Sequence, residues 1–241
     1  RRKILKGKLF CIGLGPGDPE LITLKAVRLM KECPVWVVPQ GHSDKLTAQG
    51  ILQTALDRFV DVERESKEIL TAYVPMTRDE TVLAGAHEEN RKAVEKHLAE
   101  GRNVAFFVLG CPTVYASSAY VQKRIAADGY ETETVPGITS FSATAAALKT
   151  DLCEKEEPLF IIPAKRDDFE ALIDVPGNKV IMKPADRLPE IKAVLREKGL
   201  IDGASMVERC GLPEEKVYPK LAAAADNSYF SVILVKKGER I

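Results

Sequence analysis

A chain of 241 residues is long enough for one large or two small domains, with a core that needs no disulfide or metal. Because 35 Lys and Arg balance 35 Asp and Glu, the charge gives no reason to expect nucleic acid or an anionic membrane surface as a partner. Five scattered cysteines, three histidines without ligand spacing and the lack of a ~20-residue apolar run predict a cytoplasmic protein without bound metal or a membrane span.

A strand predicted over residues 9–12 leads into a loop in which Gly13, Gly15 and Gly17 alternate around Pro16. Glycine permits positive φ and lets a ligand approach the backbone closely, and proline stiffens the loop. A buried strand that runs into such a loop and then a helix predicts a small-molecule pocket at the carboxyl end of a sheet. A plain strand-to-helix turn stays open as the alternative.

Two nucleotide-binding fingerprints do not fit this loop. The third glycine of G-x-G-x-x-G falls on Asp18, and Pro39 stands after the second strand where an acidic residue is expected. No Gly-Lys-Ser/Thr follows, so the phosphate-binding loop pattern is also excluded. Asp18 or Thr23 is instead expected to cap the helix that follows.

The first half of the chain alternates helices and strands. Hydrophobic periodicity predicts helices over residues 24–31, 45–57 and 79–100, and strands over residues 34–38, 60–62, 69–76 and 104–109. The apolar run at residues 104–109 is typical of a strand covered on both faces. This alternation predicts a parallel α/β sheet.

The second half keeps strands but changes their rhythm. Strands are predicted over residues 131–135, 159–162, 179–182, 204–208, 216–218 and 229–235, and helices from the loop after residue 115 to residue 127, and over residues 141–148, 167–173 and 188–198. Short spacing near the end indicates antiparallel pairing. We expect an N-terminal α/β domain over residues 1–112 and a C-terminal α/β domain over residues 113–241.

Three motifs together resemble one family. They are G-x-G-P-G-D-P-E-L-x-T-x-K-A in the first loop, G-x-P-x-x-Y at residues 110–115, and V-P-G-I-T-S at residues 135–140. These motifs resemble those of the tetrapyrrole methylases, enzymes of cobalamin and sirohaem synthesis that use S-adenosylmethionine. The resemblance covers residues 8–237. It implies two αβα domains, the first sheet parallel and the second mixed, a ligand cleft between them, and a homodimer.

Four further stretches, at residues 74–77, 157–163, 180–183 and 229–235, are similar to the branch that methylates C-20 of precorrin-2 or cobalt-factor II. C-20 is the macrocycle carbon that bridges the first and last rings. The branch implies S-adenosylmethionine as methyl donor, a tetrapyrrole as acceptor, no protein-bound metal, and no nucleic acid or membrane partner.

The resemblance also implies roles for individual residues. The donor-binding positions are Pro16, Gly110, Cys111, Val114, Tyr115, Thr139, Ser140, Met182 and Lys183, and the substrate-binding positions are Gly15, Gly17 and Asp18. No catalytic base can be named, and Tyr115 is a candidate for orienting the substrate. An alternative stays open in which Met182 packs in the core and Lys183 is a surface charge. Substrate carboxylates require Arg or Lys, for which the candidates are Lys165, Arg166, Lys183 and Arg209.

Two positions depart from the family pattern. Cys111 stands where relatives usually carry Asp, and a thiol cannot replace a carboxylate as a charged acceptor or helix cap. Pro39 stands where the uroporphyrinogen branch carries Asp, which disfavours uroporphyrinogen as the substrate. The alternatives are methylation of a different macrocycle carbon, a diphthine synthase, an rRNA ribose methylase, or a tetrapyrrole-binding protein without catalysis.

Overall fold

The structure is a computed structural model that describes residues 5–40, 48–58, 61–62, 64–75, 77, 79–225 and 230–236. The chain divides into two compact units, Arg1–Thr139 and Ser140–Ile241. No helix within the described ranges combines the length and the apolar character needed to cross a bilayer.

The first unit contains a parallel sheet. Its five strands are β1 (Lys8–Gly13), β2 (Val35–Gln40), β3 (Glu68–Tyr73), β4 (Val104–Val108) and β5 (Glu131–Val135), in the order β3-β2-β4-β1-β5. All four strand pairings are parallel. Every residue of β4 is buried, as expected of a central strand covered by helices on both faces. The predicted parallel α/β sheet is confirmed.

Among the described residues of this unit, the α-helices are α1 (Leu24–Glu32), α2 (Ala48–Arg58), α3 (Glu80–Ala99) and α4 (Ser118–Ala127). Leu98 of α3 and Ile125 of α4 pack in one core cluster with Phe106 of β4. Alternation along the strands places Trp36 and Phe107 on the other face, where their rings meet edge to face at 5.5 Å. Both faces of the sheet therefore carry buried apolar side chains.

The division between the units falls after residue 139, not between residues 112 and 113 as the sequence predicts. β5 pairs with β1 along its whole length, with Lys8 opposite Glu131 and Ile12 opposite Val135. Helix α4 packs against β1 and β5. Both elements follow residue 112 in the chain but complete the first sheet, and the first unit therefore ends at Thr139.

The second unit contains a mixed sheet, as predicted. Its strands are β6 (Leu159–Pro163), β7 (Asn178–Met182), β8 (Ala204–Glu208), β9 (Lys216–Tyr218) and β10 (Ser231–Val235), in the order β6-β7-β10-β8-β9. Strands β6 and β7 are parallel, whereas β10 is antiparallel to both β7 and β8, and β9 is antiparallel to β8. In the described part of this unit the α-helices are α5 (Ser140–Ala147), α6 (Phe169–Asp174) and α7 (Leu188–Glu197).

The core of the second unit lies between its sheet and two helices. Phe169 of α6 and Ile191 of α7 pack with Ile181 of β7 and Ile233 of β10 in one cluster. Helix α5 packs against β8 and β10. Apolar residues at helical spacing on α6 and α7 therefore meet the alternating apolar residues of the strands, as the sequence periodicity indicates.

One predicted element is absent where the structure permits a comparison. Residues 61–62 form no regular structure, so the strand predicted over residues 60–62 is wrong in its described part. Residues 60, 76 and 229, together with the first residues of the helix predicted to begin at residue 45, lie outside the described residues. The strand predicted over residues 69–76 is β3, which begins at Glu68 because it pairs there with Val35.

Candidate active site in the first unit

The loop between β1 and α1 is fixed by two side-chain caps. Asp18 Oδ1 accepts a hydrogen bond from the Glu20 N–H at 2.9 Å and caps the short 3-10 turn Pro19–Leu21. Thr23 Oγ1 accepts from the Ala26 N–H at 3.2 Å and caps α1. Of the two residues expected from the sequence, Thr23 therefore caps the helix, whereas Asp18 caps the 3-10 turn that precedes it. The preceding residues Gly15, Pro16 and Gly17 are buried, and Asp18 is half-buried.

Backbone hydrogen bonds join this first loop to the loop after β4. The Gly15 N–H donates to Gly110 O at 3.2 Å, and the Gly110 N–H donates to Gly15 O at 2.7 Å. The Leu14 N–H donates to Val108 O at 2.9 Å, which extends the pairing of β1 with β4 beyond the strands. Gly15 and Gly110 have φ of +77° and +72°, where glycine avoids the steric cost of a side chain. The two loops are thus one hydrogen-bonded unit.

Glycines bring all three predicted loops into backbone contact. A Cβ atom added at Gly13 would lie 2.5 Å from Gly110 O and 2.7 Å from Gly137 N, and one added at Gly137 would lie 2.3 Å from Gly110 O. These distances are shorter than any ordinary Cβ contact, so only glycine fits at positions 13 and 137. In contrast, a Cβ at Gly110 would meet nothing within 4 Å, so open space adjoins that residue.

Cys111 lies where the second and third loops meet. It is 6% exposed, and its Sγ lies 3.0 Å from Thr113 Oγ1. Burial raises the pKa of the Cys111 thiol, but hydrogen bonds with the side chain and backbone of Thr113 and with the Gly137 N–H outweigh burial, so the pKa falls below its ordinary value. Although a thiol lacks the charge of a carboxylate, Cys111 accepts backbone hydrogen bonds that an aspartate could accept.

Tyr115 ends the second loop in a strained conformation. Its φ is +49°, a region that non-glycine residues rarely adopt, and 50% of the residue is exposed. Val114 is half-buried, and its N–H donates to Cys111 O at 3.1 Å to close a turn. Strain of this kind concentrates at functional sites, because it persists only where the surrounding structure enforces it. Thr139, the last residue of the first unit, is half-buried beside this group of loops.

A cluster of charged side chains joins β5 to neighbouring elements of the first sheet. Glu133 of β5 lies 2.5 Å from Lys25 Nζ and 2.7 Å from Lys8 Nζ. These two ammonium groups, Lys25 foremost, lower the pKa of Glu133 to about 2. The cluster ties α1, β1 and β5 together and so stabilises the elements that carry the first and third loops.

Ser140, Met182 and Lys183 belong to the second unit. Ser140 begins α5, Met182 is the last residue of β7, and Lys183 follows it directly. Met182 is 9% exposed, consistent with a packing role, and its carbonyl accepts from the Ala164 N–H at 2.8 Å. Lys183 is half-buried with φ of +58°, so it is not a freely exposed surface charge.

Comparison with known proteins identifies the family. The family model for Tetrapyrrole (Corrin/Porphyrin) Methylases matches residues 8–226, which is most of the chain. The chain belongs to this family. The three loops that meet at Gly13, Gly110 and Gly137 therefore carry the motifs of a methylase family, and the family resemblance predicted from the sequence is confirmed.

Relatives of known name match nearly the full length of the chain. The cobalt-precorrin-2 C(20)-methyltransferase of Salmonella typhimurium is 30% identical, and the match covers 97% of this chain and 98% of the relative. A probable cobalt-precorrin-2 C(20)-methyltransferase of Methanocaldococcus jannaschii is 32% identical over 99% of both chains. The precorrin-2 C(20)-methyltransferase of a Sinorhizobium species is 32% identical over 95% of both.

Solved structures share the fold. A cobalt precorrin-4 methyltransferase superimposes with a TM-score of 0.69 at 19% identity, over 95% of this chain and 94% of the other. The uroporphyrin-III C-methyl transferase of Thermus thermophilus, in complex with S-adenyl homocysteine, superimposes with a TM-score of 0.68 at 22% identity, over 96% of this chain and 98% of the other. At these identities the likeness shows that the α/β architecture is that of the tetrapyrrole methyltransferases.

Two residues of this site are missing from the set predicted from the sequence. Gly13 and Gly137 have no assigned role there, although their backbones form the contact between the loops. Each glycine stands at or just after the end of a strand, β1 or β5, whose neighbour in the sheet ends beside it. That position is the signal that could have indicated them. No cluster of three or more His, Cys, Asp or Glu able to hold a metal occurs among the described residues.

Proposed function

We propose that this chain is an S-adenosylmethionine-dependent C-methyltransferase that adds one methyl group to C-20 of precorrin-2 or cobalt-factor II in cobalamin synthesis. The observation that carries the proposal is the 30% to 32% identity, over nearly the whole chain, to relatives named for that reaction. Matches to other steps of the pathway are shorter or weaker, such as 27% identity over 71% of the chain for a cobalt-precorrin-4 C(11)-methyltransferase.

The backbone of the three loops in the first unit supports a binding site for the methyl donor. Open space adjoins Gly110, whose positive φ turns its peptide groups away from a helical or extended path. Beside it, Cys111, Val114 and Tyr115 lie in a turn that the hydrogen bond from the Val114 N–H to Cys111 O closes, and the Cys111 thiol accepts from the Gly137 N–H of the third loop. A ligand there can approach the backbone and use its N–H and C=O groups. Pro16, Thr139, Ser140, Met182 and Lys183 complete the proposed donor set.

In this reaction the main task of the protein is to position the donor methyl group and the acceptor carbon. S-adenosylmethionine supplies an electrophilic methyl group on a sulfonium sulfur, and a macrocycle bridge carbon is an electron-rich nucleophile. The rigid glycine contacts hold the loops in one geometry, which lowers the entropic part of the barrier. Tyr115, which is 50% exposed, is the proposed residue for orienting the acceptor, and Gly15, Gly17 and Asp18 are the proposed acceptor contacts. Cys111 has no nucleophilic role, because methyl transfer needs no covalent intermediate with the protein.

We also propose a homodimeric protein of the cytoplasm. The family resemblance suggests the dimer, and edge strand β3 exposes Ile69 and Tyr73, which an interface could cover. Free thiols at Cys11, Cys33 and Cys210 fit a reducing compartment. The balance of 35 basic and 35 acidic residues favours a small-molecule substrate over nucleic acid. Sedimentation velocity of the full chain tests the dimer, and a monomer at micromolar concentration would contradict it.

The proposed activity is tested by mass spectrometry of the products. The protein is incubated with S-adenosylmethionine and, separately, with precorrin-2 and cobalt-factor II. We expect one acceptor or both to become heavier by a single methyl group while S-adenosylhomocysteine accumulates. Binding of S-adenosylhomocysteine without transfer to either acceptor would contradict the proposal and would favour a non-catalytic tetrapyrrole-binding protein.

A further inference from the structure

Of the cationic residues considered for the substrate carboxylates, Arg209 has the least ordinary surroundings. Arg166 makes a two-pronged pair with Asp168 at 2.6 and 2.7 Å, and Lys165 pairs with Asp186 at 2.8 Å. The Arg209 Nε atom is buried and has no hydrogen-bond partner among the described residues. It lies 3.5 Å from Glu208 Oε1 in an ion pair, yet 31% of the Arg209 side chain remains exposed.

The backbone of Arg209 is held in a conformation that favours glycine. Its φ is +52°, directly after strand β8. The Arg209 N–H donates to Phe230 O at 2.7 Å, which continues the β8–β10 ladder, and the Leu212 N–H donates to Arg209 O at 3.0 Å. Hydrogen bonds on both sides therefore enforce the strained φ. A strained non-glycine residue at a strand end is a sign of a functional constraint.

Beneath Arg209 lies a carboxylate that is wholly removed from solvent. Glu208, the last residue of β8, is 0% exposed and stands opposite the buried Ser231 of β10. A buried charge must be balanced by opposite charge, and two cations approach it, Arg209 at 3.5 Å and Lys216 at 3.8 Å. Glu208 thus anchors the inner edge of the guanidinium group. The Arg209 Nε atom is itself buried, so the exposed 31% of the side chain is the part that a ligand can reach.

We propose that Arg209 binds a peripheral carboxylate of the tetrapyrrole acceptor, and that Glu208 is a positioning residue that holds the guanidinium group in place. A planar guanidinium group on a partly exposed side chain can bind a carboxylate in two-pronged geometry. Strand β10 lies between β7 and β8 and pairs with both, with Val232 opposite Met182 and Ser231 opposite Glu208. Lys183, which follows β7, is therefore at the same edge of the sheet as Arg209, which follows β8. The inference rests on the proposed function, since it names a contact with that acceptor.

The test compares Arg209→Gln, Arg209→Lys and Glu208→Gln with the parent and with Arg196→Gln, which removes an exposed arginine from the last turn of α7. Initial rates are measured with cobalt-factor II, and donor-site binding is measured by titration with S-adenosylhomocysteine. For Arg209→Gln we expect the acceptor KM to rise about tenfold or more with kcat within about threefold, the pattern of lost uniform binding. Affinity for S-adenosylhomocysteine should change little. The melting temperature should fall, because the buried Glu208 then keeps only Lys216 of these two counter-charges, so rates are compared at a temperature at which both proteins are folded.

Two further measurements distinguish a contact between Arg209 and the acceptor from a structural role of Arg209. The acceptor KM of Arg209→Lys should lie between those of the parent and of Arg209→Gln. Glu208→Gln should also raise the acceptor KM, although the Glu208 side chain itself does not contact the acceptor. Because an exposed ion pair is screened by salt, the KM difference between parent and Arg209→Gln should shrink between low salt and ~1 M salt. An unchanged acceptor KM in Arg209→Gln, or an equal loss in Arg196→Gln, would overturn the inference.

A second probe keeps this inference distinct from the proposed function. Binding of an octacarboxylate porphyrin, and of its methyl ester, is followed by porphyrin absorbance in parent and Arg209→Gln. The free acid should bind more weakly to the variant, whereas the ester should bind both proteins equally. If the parent transfers no methyl group but binds the free acid more tightly than Arg209→Gln does, the proposed activity is wrong and the carboxylate contact is supported. If transfer occurs and the two proteins bind the acid equally, only the contact is wrong.

Discussion

Replacement of Gly137 by alanine tests whether backbone contact between the loops creates the site. The new Cβ would lie 2.3 Å from Gly110 O, 2.9 Å from the Gly13 carbonyl carbon and 3.0 Å from Gly13 Cα. All three are backbone atoms of the other two loops, so no flexible side chain can move aside. Ordinary contacts begin at 3.4 Å, and the third loop must therefore move by about 1 Å from the second.

A displacement of that size has two measurable consequences. Overpacking of a closely packed region costs about 1–3 kcal/mol of the free energy of unfolding. A misplacement of about 1 Å at the reacting groups lowers the rate by about 100-fold. Gly137→Ala should therefore unfold at lower denaturant concentration in a urea titration, and kcat/KM for methyl transfer should fall by about two orders of magnitude. S-adenosylhomocysteine binding, measured by calorimetry, should weaken in the same variant.

Gly85→Ala is the matched control. Gly85 lies inside α3, and a Cβ added there meets nothing within 4 Å. Alanine should stabilise that helix by about 0.5–1 kcal/mol and leave the rate of transfer unchanged. If Gly137→Ala binds S-adenosylhomocysteine and transfers methyl groups as well as Gly85→Ala does, the contact between the loops does not shape the donor site, and the reasoning is refuted.

Three further predictions concern the donor, a cysteine and an acidic residue. The protein should bind S-adenosylhomocysteine at one site per chain, and ligand at about 100 times its Kd should raise Tm by roughly 5–10 °C; a flat calorimetric titration at millimolar ligand would contradict this. Cys111→Ser and Cys111→Asp should keep kcat within about tenfold of the parent, because each side chain can accept the Gly137 N–H; loss of turnover with donor binding intact would reveal a chemical role for the thiol. Glu133, whose pKa is lowered to about 2, contributes stability that is present above pH ~4.5 and is lost as the pH falls toward 2. The urea midpoint of Glu133→Gln should thus depend less on pH in that range than that of the parent, and equal slopes would show that the Lys25 and Lys8 pairs do not stabilise the fold.

Most of the architecture could be predicted from periodicity. The strands at residues 131–135, 204–208 and 216–218 have the predicted bounds, because each short run contains β-branched or aromatic residues and lies beside glycine or proline turn signals in the sequence. The boundary between the units could not be predicted from such local patterns. Whether β5 completes the first sheet depends on its pairing with β1, a contact between distant parts of the chain that no local pattern contains.

The same distinction holds for the candidate site. The motifs indicated the loops, and the structure brings Gly15, Gly110 and Cys111 together as expected of adjacent strand ends. The roles of Gly13 and Gly137 follow from the close approach of the loops, where an added Cβ would lie 2.3 to 2.7 Å from backbone atoms of another loop, and a sequence does not specify such distances. Glycine is common in loops for many reasons, so its presence alone could not show which positions exclude a Cβ.

The cations show a similar limit. From the sequence, Lys165, Arg166, Lys183 and Arg209 were equivalent candidates for carboxylate binding. The structure separates them, because Arg166 makes a two-pronged pair with its near neighbour Asp168, whereas Arg209 forms an ion pair with the fully buried carboxylate of Glu208. Burial of Glu208 arises from the position of β8 inside the second sheet, which again depends on pairing between distant segments.

The position of the transferred methyl group tests the central claim most directly. The protein is incubated with S-adenosylmethionine labelled with carbon-13 in the methyl group and with precorrin-2 or cobalt-factor II, and the product is analysed by carbon-13 NMR. The account predicts one labelled methyl group on the bridging carbon C-20, between the first and last rings. A label on a pyrrole-ring β carbon, or transfer to protein or RNA with neither macrocycle labelled, would contradict it.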